Sequence, residues 1–353
     1  MILRMTSREL KFDPASLRYG GIIGTGGIGS GKFFVLNGDH TLGREESRSG
    51  RFLEVSDYCK QHIILHYVKV LLGPSFKVIP VGKVGNDDIG QILFNEMDET
   101  GFILKWIQKE QHVSTLFSFC FYYPDGSGGN LTTDNSASSM VDAAYIEKAV
   151  PEIQKLGSKG IIMAAPEVPL AARQKLIEMG KQYGLFCTAS FTTGEIADVL
   201  NNDIIGKTDL IAINFDEAAA VTGISAGKAD AFSVVNMAIK NLQMRNKNIM
   251  VSVTAGKNGS WCWDGAQLNR IPAVKANAIS TAGAGDAFFS GIITGLALGI
   301  HLFEAQQLAS LIAGLSVCSP DTIHKGVDRH SLNQFSIISG IKLSETISKL
   351  LEE

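Results

Sequence analysis

The sequence predicts an α/β fold: a mainly parallel central sheet flanked by helices, with a small β lid over one edge. Three observations carry this expectation. Short β-type apolar runs alternate with helical stretches over most of the 353 residues, which is the rhythm of βα units around a parallel sheet. Two segments, about 33–57 and 113–135, break that rhythm and read as the lid. No internal repeat or low-complexity linker divides the chain, so one domain at 20–353 with an N-terminal arm at 1–19 is the economical reading.

The candidate core strands are 76–80, 160–164, 185–188, 210–213 and 249–254. Between and beyond them, helices are expected at 88–97, 143–156, 170–183, 229–244 and 303–318, where apolar residues recur at three- and four-residue intervals. In the second lid segment, residues 115–123 alternate apolar and polar before a turn at Pro124-Asp125-Gly126, as an antiparallel strand does. The most apolar window, 287–303, is interrupted by Ser290, Gly291, Thr294, Gly295, Gly299 and His301. A membrane span needs about 20 apolar residues, so the Gly291/Gly295 pair reads instead as a buried helix packed closely on the sheet.

Bulk properties exclude several classes. With 32 basic and 35 acidic residues and a formal net charge of −3, the chain offers no broad attraction to nucleic acid or anionic lipid. Its five cysteines show no C-x-x-C spacing, which argues against a disulfide framework or structural zinc and favours a reducing cytoplasm. The opening MILRMTSRELKFD lacks the apolar stretch of a signal peptide.

The most informative stretch is Ser280-Thr281-Ala282-Gly283-Ala284-Gly285-Asp286, directly before the small-residue helix. Its glycines permit a tight turn that points successive N–H groups outward, and the following helix adds positive dipole. Such a loop holds a phosphoryl group, and Asp286 would accept a proton from an attacking hydroxyl. Taken alone, the same residues also suit a glycine-rich loop with Asp as helix cap.

Three further segments occur in order: Val81 to Gly90 (VGKVGNDDIG), Asn214-Phe215-Asp216-Glu217, and Thr254-Ala255-Gly256-Lys257-Asn258-Gly259. Together with S-T-A-G-A-G-D-A-F, they make the chain resemble the ribokinase-like carbohydrate kinases of the PfkB family. The last signature carries Ser280 where that family usually has Asp. The resemblance implies a ribokinase-like fold and a phosphotransferase that moves the γ-phosphoryl group of ATP onto a sugar or nucleoside hydroxyl. It implies Asp286 as base and the backbone of Ala282, Gly283, Ala284 and Gly285 as anion hole. Asn214 and Glu217 would organise Mg²⁺ through water. Thr254, Gly256, Gly259 and Thr281 would line the nucleotide, with Ser310 near the adenine. ATP and Mg²⁺ are the implied cofactors, and a monovalent cation is a further candidate. A homodimer through the β lid is a candidate assembly. Capping by Asn214 and Glu217, and an ordinary strand end at Thr254, are the structural alternatives.

Other signals weigh less. Gly24-Thr25-Gly26-Gly27-Ile28-Gly29 fits a dinucleotide fingerprint, with Glu45 or Glu46 as the ribose acid, but no clear helix starts there. Gly26 to Lys32 misses a phosphate loop because Phe33 stands where Ser or Thr is required. His62 and His66 have metalloprotease spacing without the Glu. The resemblance is weakest at the acceptor: the early Asp and the G-G-x-x-x-N element are missing before the helix ending Leu71-Leu72-Gly73. Asn37, Asp39, His40 and Arg48 are the substitute substrate contacts, with a solvated charged loop as the plain alternative. A ligand-binding protein that kept the fold without efficient catalysis is the rival function.

Overall fold

The structure, a computed structural model, describes residues 9–125, 127–224 and 230–352. Among these residues, nine strands form the main sheet: β1 (Gly21–Thr25), β4 (Lys77–Gly85), β5 (Trp106–Glu110), β8 (Gly160–Ala164), β9 (Phe186–Ser190), β10 (Leu210–Asn214), β11 (Met250–Thr254), β12 (Ser260–Trp263) and β13 (Leu268–Ile271). Their order is β13-β12-β11-β10-β9-β8-β1-β4-β5. Every pair from β11 to β5 is parallel, and only the β11–β12 and β12–β13 pairs are antiparallel.

The strands are apolar at successive positions because both faces of the sheet are covered. Ile22, Val78, Met163 and Leu210 pack on one side, Ile23, Ile79, Ile162 and Ile211 on the other. The register Thr25↔Val81 and Asn214↔Thr254 aligns the carboxyl ends of these strands. The order of connection, not the strand direction, reverses where β1 lies between β4 and β8, and the crevice at such a reversal is where open α/β sheets bind ligands.

The remaining strands, β2 (Gly29–Leu36), β3 (Gly50–Tyr58), β6 (Leu116–Tyr122) and β7 (Gly128–Thr132), form a separate sheet in the order β3-β2-β6-β7. This is the expected lid, and it begins at Gly29. Register places Gly31, Phe33, Val35, Leu53, Asp57, Ser118, Cys120 and Tyr122 on one face. Phe34, Phe52 and Phe119 share the other, packed edge to face or tilted. Gly126, of the expected turn, lies outside the described residues, as does Ala229 at the start of the expected helix 229–244, which runs Ala231–Gln243.

Two expectations, one of a helix and one of a glycine contact, need correction. The helix expected at 143–156 is two, Ala143–Glu147 and Val150–Leu156, because Pro151 has no amide hydrogen to continue the first and suits the opening turn of the second. The described part of the N-terminal arm is docked: Leu10 is buried, and the Leu10 and Arg18 amides donate to Leu71 and Ala297 carbonyls. The glycine pair of helix Ala284–Ala297 faces another helix and not the sheet. A Cβ on Gly295 would lie 2.5 Å from Ala305 Cβ, and one on Gly291 would run into Ala309 Cα, so these glycines let helix Leu302–Ser316 approach at backbone distance. No described helix is long and apolar enough to cross a membrane.

Candidate active site

The signature loop folds as its glycines require. Gly283 caps helix Ala284–Ala297 with φ of 76°, and a Cβ there would also meet Thr322 O at 2.8 Å, so no other residue fits without strain. The Ala284 amide turns back to Thr281 O, and that of Ala287 to Gly283 O. The amides of Gly283, Gly285 and Asp286 have no protein acceptor among the described residues. They open toward the cleft with the helix dipole behind them, an arrangement that favours a bound anion.

Asp286 is the third residue of that helix, and its carboxylate lines a cleft of about 570 Å³. Burial raises its pKa, and the neighbouring Lys60 ammonium partly offsets this. Lys60 Nζ stands 3.7 Å from Asp286 Oδ2. The same cleft is lined by Asn214, Glu217, Thr254, Gly256, Gly259, Thr281, Gly283, Ala284, Gly285 and Ser310. The expected nucleotide, metal and loop residues therefore converge on one volume, with Ala282 in the turn between Thr281 and Gly283.

Asn214 and Glu217 do what the plainer reading said: they form a reciprocal cap on helix Phe215–Thr222, Asn214 Oδ1 accepting from the Glu217 amide at 2.9 Å and Glu217 Oε2 from the Asn214 amide at 2.7 Å. They also face the cleft, and burial pushes Glu217 up to about 7. No group of three or more His, Cys, Asp or Glu side chains among the described residues makes a ready metal cage. One capped carboxylate with its second oxygen unspent suits an ion that keeps its waters. Thr254 ends β11, and Gly256 and Gly259 take φ of 51° and 87° in the turn that follows.

Two site residues escaped the sequence reading. Lys60 is the first residue of helix Lys60–Leu72, a position where a cation opposes the helix dipole. That misfit was the available signal. The Asp286 carboxylate first, then Glu167 and Glu217, hold its ammonium charged. Glu167 follows β8, is the one non-glycine residue with positive φ among those described, at 75°, and is pushed up to about 7 by burial. Its Oε2 accepts from the Lys60 amide at 3.2 Å, capping a helix whose N-cap, Cys59, makes no side-chain cap bond. Asp57, buried on the inner lid face, accepts from Ser118 Oγ at 2.8 Å.

The glycine run Gly24-Thr25-Gly26-Gly27-Ile28-Gly29 passes from β1 straight into β2, without the helix that a dinucleotide or phosphate loop needs. Its glycines serve packing: a Cβ on Gly27 would lie 2.5 Å from Glu167, and one on Gly26 2.9 Å from Ala165 Cβ. His62 and His66 are packed in aromatic contacts and depressed to about 3 by burial. Asn37, Asp39, His40 and Arg48 lie in the β2–β3 connection. Asn37 Nδ2 donates to Ser49 Oγ at 2.9 Å, while Arg48 Nε and His40 Nε2 both meet Glu46 Oε1, at 2.6 and 3.1 Å. None of the four lines the cleft at Asp286, and Asn37 lines the neighbouring cavity under the lid.

The chain is similar to known proteins in both sequence and fold. The profile of the pfkB family carbohydrate kinases matches residues 66–328. The deoxyribokinase of Salmonella typhi is 24% identical over 246 residues, covering 70% of this chain and 77% of that protein. Giardia lamblia ribokinase superposes with a TM-score of 0.76 at 19% identity, covering 89% of this chain and 99% of that one. Burkholderia thailandensis nucleoside kinase, solved with inosine, gives 0.69 at 17%, covering 91% and 99%.

Proposed function

The chain belongs to the pfkB family of carbohydrate kinases, and on that premise we propose that it moves the γ-phosphoryl group of ATP onto a hydroxyl of a sugar or nucleoside, with Asp286 as general base. One observation carries the reading: the Asp286 carboxylate and the unpaired amides of its own helical turn face the same cleft. The carboxylate takes the proton of the attacking hydroxyl as the new P–O bond forms and the bond to the leaving ADP oxygen breaks. Of the expected Ala282–Gly285 anion hole, the Ala282 and Ala284 amides are bonded to Ser280 Oγ and Thr281 O, so charge on the transferring group is met by the amides of Gly283, Gly285 and Asp286 and by the helix dipole, which need no reorganisation at that moment.

Lys60, beside Asp286, favours its charged form and supplies a positive charge next to the transferring group. Asn214 and Glu217 are assigned to Mg²⁺ through its waters, where the ion supplies charge neutralisation on the phosphates. Burial pushes Glu217 up to about 7, and a neighbouring divalent cation would favour its charged form. Thr254, Gly256, Gly259 and Thr281 are assigned to the phosphates. Ser310, among Val274, Ala313 and Val317, is assigned to the adenine end. Asp286→Asn tests the reading: turnover should fall about 10²–10⁴-fold while ATP binding survives, and unchanged turnover removes the base.

The outer lid face suits self-association. Phe52 is 55% and Leu131 62% exposed beside Phe34 and Phe119. Sedimentation of wild type against Phe52→Lys checks the homodimer, and equal sedimentation of the two refutes it.

A further inference from the structure

A second cavity, of about 650 Å³, lies between the lid and the residues that lead into the catalytic loop, and it shares Ala278 and Thr281 with the Asp286 cleft. Its lid wall is the inner face defined by strand register, and the residues that matter are Phe33, Val35, Leu53, Val55 and Tyr122. Phe33 and Tyr122 are stacked, 3° from parallel with centroids 5.6 Å apart. The opposite wall presents Ile279, 66% exposed although it immediately precedes the catalytic loop.

The polar side chains of the cavity are Asn37, Arg51, Tyr122, Tyr123, Ser280 and Thr281, and several are spent on the protein itself, the Tyr123 hydroxyl accepting from the Leu42 amide at 2.9 Å. Asn37 is bonded to Ser49, and the Tyr122 hydroxyl meets the Ser280 side chain. Arg51 stands at the rim. A free monosaccharide presents hydroxyls on nearly every side, and each one pressed against these walls would lose its water without gaining a partner. A planar apolar ring loses little water there and gains stacking and burial. The cavity also falls in the size range of a small-molecule site, about 300–1,000 Å³, beyond the volume around Asp286 where the reacting hydroxyl must sit.

Resting on the phosphotransfer reading above, we infer that the acceptor is a nucleoside-like molecule: a sugar that offers its hydroxyl to Asp286 and carries a heteroaromatic ring into the cavity between the lid and Ile279. The sugar end takes its few polar contacts near the catalytic loop. Arg51, at the rim, is set to hydrogen-bond or stack on the ring edge.

The test measures ATP consumption with ribose, deoxyribose and fructose against inosine, adenosine and cytidine, under one set of conditions. Nucleosides should show at least tenfold higher kcat/KM than the free sugars. That preference should shrink severalfold or more in Leu53→Asn, and in Ile279→Asn, whose side chain is largely exposed and whose fold is checked by melting. Free sugars equalling or exceeding the nucleosides would overturn the acceptor class and leave phosphotransfer standing. A preference that survives both substitutions would overturn the cavity assignment. No ATP consumption with either class would remove the phosphotransfer reading, and this inference with it.

Discussion

Replacing Lys60 by Gln isolates the electrostatics of the site. The Nζ–Oδ2 separation of 3.7 Å corresponds to about 1 kcal/mol in bulk water and about 4.5 kcal/mol at an effective dielectric of 20. Lys60 is 36% exposed along its side chain and Asp286 14%, so screening keeps the effect toward the lower figure. At about 1.36 kcal/mol per pH unit, the lower figure corresponds to a displacement of about one pH unit in the activity profile. The sign follows from which form the lysine favours: its charge stabilises the carboxylate, so its removal moves ionisation, and the acidic limb of the kcat/KM profile, to higher pH. The assay is a pH series of kcat/KM at saturating MgATP for wild type and Lys60→Gln, with melting curves to confirm folding. An acidic limb that stays fixed or moves down refutes the pairing. A purely structural role for Lys60 would lower activity without displacing the limb.

Further outcomes follow from the same structure. Glu167 is raised to about 7 from its usual 4.5, so the folded state holds a proton that the unfolded chain releases. Its contribution to stability is therefore lost as pH rises from about 4.5 to about 7 and is level above that. Glu167→Gln should flatten this part of a Tm-against-pH series, and an unaltered slope counts against it. Gly283→Ala forces φ of 76° on a residue with a Cβ, at a cost of about 1–2 kcal/mol plus the contact with Thr322. Thermal melting should fall and turnover should be lost, and an active, equally stable variant would show that the turn tolerates a side chain. Gly291→Ala should separate two helices and cost about 1–3 kcal/mol, visible in denaturant unfolding. Unchanged stability would mean that the helices have room to part.

Where local chemistry governs, the sequence could be read closely. The run 160–164 is a strand with those same bounds because five successive apolar residues need a sheet covered on both faces. The turn at Gly283 follows from glycine's access to positive φ, and Asp286 then falls on the cleft wall. Less legible were residues whose role depends on distant neighbours. Lys60 and Glu167 are 107 positions apart, and nothing beside either in the chain announces their meeting. Gly26 and Gly27 imitate a nucleotide fingerprint, yet they are small because Ala165 and Glu167 lie against them.

The sequence by itself determined the α/β class, the lid, the order of the motifs and the helix that presents Asp286, since each rests on periodicity or on a backbone conformation that few residue types can adopt. Tertiary structure alone decided that Lys60 stands beside Asp286, that Glu167 caps its helix, and that Asn37, Asp39, His40 and Arg48 stand away from the Asp286 cleft. The reason is physical. A charge acts through distance and burial, and both are set by how β1, β8 and helix Lys60–Leu72 pack, not by spacing along the chain.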